Sequence, residues 1–127
     1  MAVKIGIVGL GLIGASLAWD FHQMGHYLVG VSRQQSTCEI AESQGICDRA
    51  SCNLADLADT EIIFICTPIA AIIPTIEQLS THIHPDTIIT DAGSVKGEIV
   101  DRATNIWANF VGGHPMAGKL SERDCCL

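Results

Sequence analysis

The chain has 127 residues, enough for one domain with a real core. Apolar residues make up 48% and charged residues 17%, which argues against disorder, and with aromatics at 5% the core must be built from Ile, Leu, Val and Ala. A formal charge of −7 argues against a nucleic-acid partner, though it leaves room for an anionic small molecule, since local charge sets such a site.

The opening stretch holds an apolar run that Gly6, Gly9, Gly11 and Gly14 interrupt, and Asp20 cuts short any spanning helix. Nothing approaches the roughly 18 apolar residues needed to cross a bilayer, so no membrane partner is expected and the chain reads as cytoplasmic. "VKIGIVGLG" suits a strand buried on both faces. In "LIGASLAWDFHQMG" Ile13, Leu17, Phe21 and Met24 recur at helical spacing, and Gly25 suits the helix end. "HYLVGVS" predicts a second strand. Ser36-Thr37-Cys38-Glu39 has the form of a capping box opening a helix through about Gln44, which Gly45 stops.

Residues 46–52 predict a short third strand, followed by a brief helix capped by Asn53. "EIIFICTP" predicts a fourth strand ended by Pro68, and a helix runs from about Ala70 to His82. "DTIITDAG" predicts a fifth strand. Ser94 opens the helix "SVKGEIVDRATNIWANF", and "FVGGH" predicts a short sixth strand. Strands alternating with helices imply right-handed crossovers and an α/β doubly wound, mostly parallel sheet. Ligands of such sheets bind beyond the carboxyl ends of the strands, which gathers residues 9–14, 32–36, 66–69, 92–96 and 113–116 on one rim.

Gly9-Leu10-Gly11-Leu12-Ile13-Gly14 is G-x-G-x-x-G, which follows a strand and opens a helix, as a dinucleotide-binding turn requires. Gly9 would allow the tight turn, Gly11 the approach of a pyrophosphate, and Gly14 close packing of helix on strand. About 20 residues on, an NAD enzyme places a carboxylate on the adenosine ribose. Here the chain has Val31-Ser32-Arg33-Gln34-Gln35-Ser36 and no acid. Ser32 can donate to a 2′-phosphate and Arg33 can pair with it, so NADP is expected in preference to NAD. Ser36 is a further candidate there, or merely a helix cap.

Ser94 and His114 are the catalytic candidates. An imidazole between a glycine and Pro115 at a strand end could take a proton from a substrate hydroxyl, and Ser94 could hydrogen-bond the same oxygen. The pattern alone leaves open that Ser94 only caps its helix and that His114 only shapes a turn. The six cysteines contain no C-x-x-C pair and read as reduced thiols, and no metal site is expected.

Taken together, "GLGLIGAS", "GHYLVGVSRQQST", "IFICTPI", "DAGSVK" and "GGHPMAG" resemble the arogenate/prephenate dehydrogenase family. The Ser-Arg-Gln-Gln-Ser loop is most similar to that of cyanobacterial, NADP-linked arogenate dehydrogenases. The resemblance covers about residues 3–118 and implies a Rossmann fold and oxidative decarboxylation of arogenate or prephenate in tyrosine biosynthesis. It implies that His114 receives the proton of the ring hydroxyl and that Ser94 positions that hydroxyl. It adds Cys66, Thr67 and Pro68 as the loop near the nicotinamide ribose. Family members are homodimers with a further helical substrate and dimerisation domain. After Gly118, "KLSERDCCL" departs from the family pattern, so residues 1–118 are expected to form the nucleotide-binding domain, cut off after about the sixth strand, and residues 119–127 an atypical tail left by a truncated or shifted reading frame. Two other readings fit parts of the pattern: a non-catalytic NADP-binding remnant, and a Rossmann reductase of small hydroxy or imino acids.

Overall fold

The computed structural model describes residues 2–92 and 97–112. Six strands form one parallel sheet: β1 (Lys4–Val8), β2 (Tyr27–Val31), β3 (Arg49–Ser51), β4 (Ile62–Ile65), β5 (Ile88–Asp91) and β6 (Phe110–Val111). Their spatial order is β3-β2-β1-β4-β5-β6. The chain winds outward from β1 to β3, then returns to lay β4 against the other side of β1, with Ile5 facing Leu28 on one side and Ile62 on the other. The direction of winding reverses between β1 and β4, so their carboxyl ends open a crevice.

Both faces are covered. Ile5, Ile7 and Leu28 point to one face and pack with Ala18 of α1 (Leu12–Gln23) and Ala41 of α2 (Gln35–Ser43). Val29, Val31, Ile63, Ile65 and Ile89 point to the other. They meet Ile72, Ile76 and Leu79 of α3 (Ile69–Leu79) and Ala103 of α4 (Gly97–Ile106). Strands with apolar side chains on both faces are what a doubly covered parallel sheet needs. No helix among the described residues is long and apolar enough to cross a membrane.

Besides α4, which ends at Ile106 and leaves Phe110 to β6 where the helix was expected to run through it, three expectations are corrected. The buried line of α1 is Gly14 and Ala18, with Leu17 and Phe21 packed beside it, while Ile13 is 58% and Met24 67% exposed. Helical period alone selected the large apolar residues. The helix lies so close to the sheet that small residues must form the contact. Secondly, Ser36 is not a cap: α2 begins at Gln35, its N-cap is Gln34, and no side chain caps it. Ser36 is exposed inside the first turn. Thirdly, α3 stops at Leu79, and residues 80–83 turn back under it, with His82 and Ile83 both donating to the Leu79 carbonyl. The capping of the short 3₁₀ turn Leu54–Leu57 is as expected, with the Asn53 side chain accepting from Ala55 N–H at 3.0 Å. Gly25 and Gly45 follow their helices in the left-handed conformation, as their positions predicted.

Polar groups at the amino ends of the strands are paired by side chains. Trp107 Nε1 donates to the Thr87 carbonyl at 2.8 Å, Thr87 Oγ1 to the Thr60 carbonyl at 3.0 Å, and Thr60 Oγ1 to the Leu57 carbonyl at 2.7 Å. Asp48 performs the same service between layers: its carboxylate accepts from Leu28 N–H at 2.8 Å and from His22 Nε2 at 3.1 Å. It thereby ties the start of β2 to the last turn of α1. Removing it leaves a backbone donor beside buried Leu28 without its partner. Asp48→Ala is expected to cost about 1–3 kcal/mol in urea unfolding, the range for an orphaned polar group; an unchanged midpoint would contradict that role.

Candidate functional site

The turn after β1 sets the site. Gly9 has φ +96°, a conformation that side chains rarely adopt, and its N–H donates to the Val31 carbonyl at 2.8 Å. A Cβ there would lie 2.9 Å from the Cys66 carbonyl oxygen. Gly14 is more confined, since a Cβ on it would collide with the Gly9 carbonyl oxygen. Gly11 differs from both: a Cβ there would meet nothing within 4 Å and would point into open space. The three glycines thus have separate duties, one for the turn, one for helix–strand contact and one for an open approach.

That approach leads to the amino end of α1. Gly11 is its N-cap, offers no side-chain cap, and no acid stands in the first turn. The first backbone N–H groups of an α-helix lack intrahelical acceptors and carry the positive end of the dipole, so this end suits a phosphate. Above it is a cavity of about 650 Å³. The structure brings Gly9, Leu10, Gly11, Ser32, Arg33, Cys66, Thr67 and Pro68 together on its walls. Leu12 and Ile13 are not on those walls. Their side chains face solvent, at 87% and 58% exposure, and only their backbone can serve a ligand. Ser36 is not on the walls either, because α2 turns it outward, and Thr37 lines the cavity instead.

Ser94 and His114 lie outside the described residues, as do residues 119–127 of the tail.

Several lining residues were missed from sequence, though Gln34 falls within the 32–36 stretch placed on the rim. Gln34 and Thr37 are linked, the Thr37 hydroxyl donating to Gln34 Oε1 at 3.4 Å. Cys52 leaves β3 beside them, and Ala71, Pro74, Thr75 and Gln78 of α3 form the far wall. The α3 residues share one helical stripe, so their spacing holds the signal once α3 is known to border the cavity. Nothing in the sequence marks Cys52.

Two features bear on a bound cofactor. The Thr67 hydroxyl oxygen is buried and has no hydrogen-bond partner among the described residues. Buried polar atoms are nearly always paired, so an orphan on a cavity wall marks a place for a ligand group. Arg33 is exposed and lines the same cavity from the loop after β2, whereas Cys66 follows β4 on the other side of β1. Cys66 itself is chemically quiet: burial, with Asp91 adding to it, pushes its thiol up to about 11. Burial likewise pushes Cys47 up to about 12.

A parallel sheet wound in this order, with a G-x-G-x-x-G turn under a cavity at its switch point, defines a Rossmann dinucleotide-binding domain. Residues 17–122 match the family model for the prephenate dehydrogenase nucleotide-binding domain. The prephenate dehydrogenase of Lactococcus lactis subsp. cremoris is 36% identical over 122 residues, covering 91% of this chain and 34% of that protein. That of Bacillus subtilis is 33% identical over 125 residues, covering 93% and 34%. Among solved structures, Synechocystis arogenate dehydrogenase superposes with a TM-score of 0.84 at 54% identity, over 86% of this chain and 39% of its own. The Aquifex aeolicus prephenate dehydrogenase in complex with hydroxyphenyl propionate and NAD+ gives 0.83 at 30%, over 91% and 42%. The chain belongs to the prephenate dehydrogenase family through its nucleotide-binding domain. It spans about a third of the length of the curated relatives it matches.

The confined Gly14 and the open Gly11 separate in a mutational test. Gly14→Ala is expected to destabilise the fold by roughly 3 kcal/mol or more, since backbone must move. Gly11→Ala, at an unstrained φ of −76°, is expected to change stability by less than about 1 kcal/mol while filling the open approach. Thermal unfolding of both variants decides; equal losses would contradict the division of duties.

The thiols give a pH prediction. Cys47 and Cys66 keep their protons in the fold to about pH 12 and 11, whereas in the unfolded chain they lose them near 9. Above pH 9 the unfolded state therefore binds fewer protons, and stability falls as pH rises. Their contribution is complete below pH 9 and is lost between 9 and 11–12; urea midpoints that stay level across that window would contradict it.

Proposed function

We propose that residues 1–118 form an NADP-binding domain and that the protein to which they belong oxidatively decarboxylates arogenate or prephenate in the route to tyrosine. The observation that carries the cofactor preference is the loop after β2. Ser32 and Arg33 line the cavity where an NAD-linked Rossmann domain places a carboxylate, and no acid stands among residues 31–38. A 2′-phosphate brings two negative charges. Arg33 meets it with a planar, permanently charged fork and Ser32 with a hydroxyl. Thr67, with its unpaired buried hydroxyl, supports placing the ribose of the other nucleotide at that end. The Synechocystis relative, an arogenate dehydrogenase, favours arogenate as substrate, and the Bacillus and Lactococcus relatives favour prephenate.

In this reading NADP supplies the hydride acceptor when bound. His114 takes the proton of the ring hydroxyl as the carbinol carbon is oxidised, an assignment suited to an imidazole that titrates near neutrality. Ser94 hydrogen-bonds the same oxygen and holds it toward His114. Loss of the ring carboxylate as carbon dioxide then makes the ring aromatic, which drives the reaction forward. The substrate is a small anion, and nucleic acid and membrane have no part in this reading.

Titration with NADP and NAD tests the cofactor. NADP is expected to bind at least tenfold tighter, roughly the 1.4 kcal/mol of one charge-assisted contact. Arg33→Ala should erase most of that ratio. Tighter binding of NAD would refute the reading of Ser32 and Arg33. For the chemistry, His114→Ala is expected to lower substrate-dependent NADPH formation by roughly a hundredfold or more with NADP affinity retained; unchanged kcat would remove His114 from the mechanism.

A further inference from the structure

One thiol on the wall of the cavity, Cys52, and one buried behind the loop after β2, Cys38, have no part in the dehydrogenase reaction. Ser32 N–H donates to the Ser51 carbonyl at 3.0 Å, which brings the end of β3 alongside the loop after β2. The next residue, Cys52, is exposed and lines the cavity beside Ser32, Arg33 and Thr37. Its thiol donates to Gln35 Oε1 at 3.6 Å. Cys38, in the first turn of α2, is 1% exposed, and its thiol reaches the Ser32 carbonyl at 3.9 Å. Burial first, and Cys52 after it, raise the Cys38 thiol above its ordinary value. Two thiols from different elements thus contact one loop, residues 32–35, that would hold a 2′-phosphate. One is open to solvent and the other is covered.

We propose that Cys38 and Cys52 are a reversible redox pair whose disulfide weakens dinucleotide binding by fixing the Ser32–Gln35 loop away from its binding geometry.

The chemistry is thiol–disulfide exchange with a low-molecular-weight disulfide as oxidant. Cys52, the accessible thiol, attacks as its thiolate. The reagent's S–S bond breaks, one thiolate leaves, and a mixed disulfide forms on Cys52. Cys38, once deprotonated, attacks Cys52 Sγ and expels the second thiolate. The two protein thiols lose two electrons and two protons, and the reagent leaves as two thiols. Burial raises the Cys38 thiol above its ordinary value, so the second step is the slower one and accelerates with pH. Closing the bond removes both thiol donors, to the Ser32 carbonyl and to Gln35. It also draws Cys52 from the cavity wall toward α2. Linkage works in both directions: a bound dinucleotide shifts the thiol–disulfide equilibrium toward the thiols by the same factor by which the disulfide weakens binding.

The effect on binding rests on the NADP reading above, whereas the disulfide itself does not, and the experiment separates them. The full chain is incubated with oxidised glutathione, remaining thiols are blocked with N-ethylmaleimide, and the bridges are mapped by mass spectrometry. A Cys38–Cys52 bridge that dithiothreitol reverses and Cys52→Ser removes is the expected result. Cys52 halted as a glutathione adduct, or bridged to Cys66, Cys125 or Cys126 instead, overturns the pair. NADP titration of the oxidised and reduced protein then reads the coupling, with binding expected to be roughly tenfold weaker after oxidation. Equal affinities overturn the control of binding. A reduced protein that ignores NADP overturns the NADP reading, and with it that control, while a mapped bridge still stands.

Discussion

The site depends on how closely α1 can approach the end of β1. Gly14 lies against the Gly9 carbonyl with no space for a methyl group, and that contact fixes where the helix begins. Its free N–H groups are then held over the carboxyl end of the sheet, beside the switch point between β1 and β4. Were the helix held off by one methyl group, the turn at Gly9 would open and the cavity floor would shift. The packing of Ala18 one turn later follows the same constraint: only small residues keep the axis so near the strands.

Around that fixed point the chain supplies chemistry of different kinds at the two ends of the cavity. Gly9 and Gly11 give a backbone surface without side chains. The loop after β2 gives a cation and hydroxyls, held by short-range bonds such as Gln34 N–H to Ser32 Oγ at 3.2 Å. At the other end Thr67 presents a buried hydroxyl without a partner among the described residues. A net charge of −7 does not oppose an anionic ligand here, because the helix end and Arg33 set the local field.

Much of the fold could be read from residues alone, since glycines and apolar runs mark each strand and turn. All six strands and four helices overlap the segments that alternation assigned to them, because a parallel sheet covered on both faces writes its central strands as Ile- and Val-rich runs. The edge strand β3, however, is only Arg49-Ala50-Ser51, and α4 ends short of the expected Phe110. Helix faces and starts were less readable. The stripe through Ile13 and Met24 obeyed helical period, yet close packing selected Gly14 and Ala18, a tertiary requirement that periodicity does not contain. Ser36 carried a capping signature, yet Gln34 takes the N-cap and Ser36 falls inside the helix. At the site, the residues just past β1, β2 and β4 could be placed because strand order dictates the rim. The α3 wall and Cys52 could not, because they reach the cavity through packing between elements that are distant in sequence.

The claim that organises this account is that the cavity recognises a phosphate on the adenosine 2′ position. Calorimetric titration with adenosine 2′,5′-bisphosphate and with adenosine 5′-monophosphate isolates that one group from the rest of the dinucleotide. The bisphosphate is expected to bind at least roughly tenfold tighter, and added salt to narrow the gap, as a charge-assisted contact at an exposed arginine requires. Equal affinities, or tighter binding of the monophosphate, would contradict it.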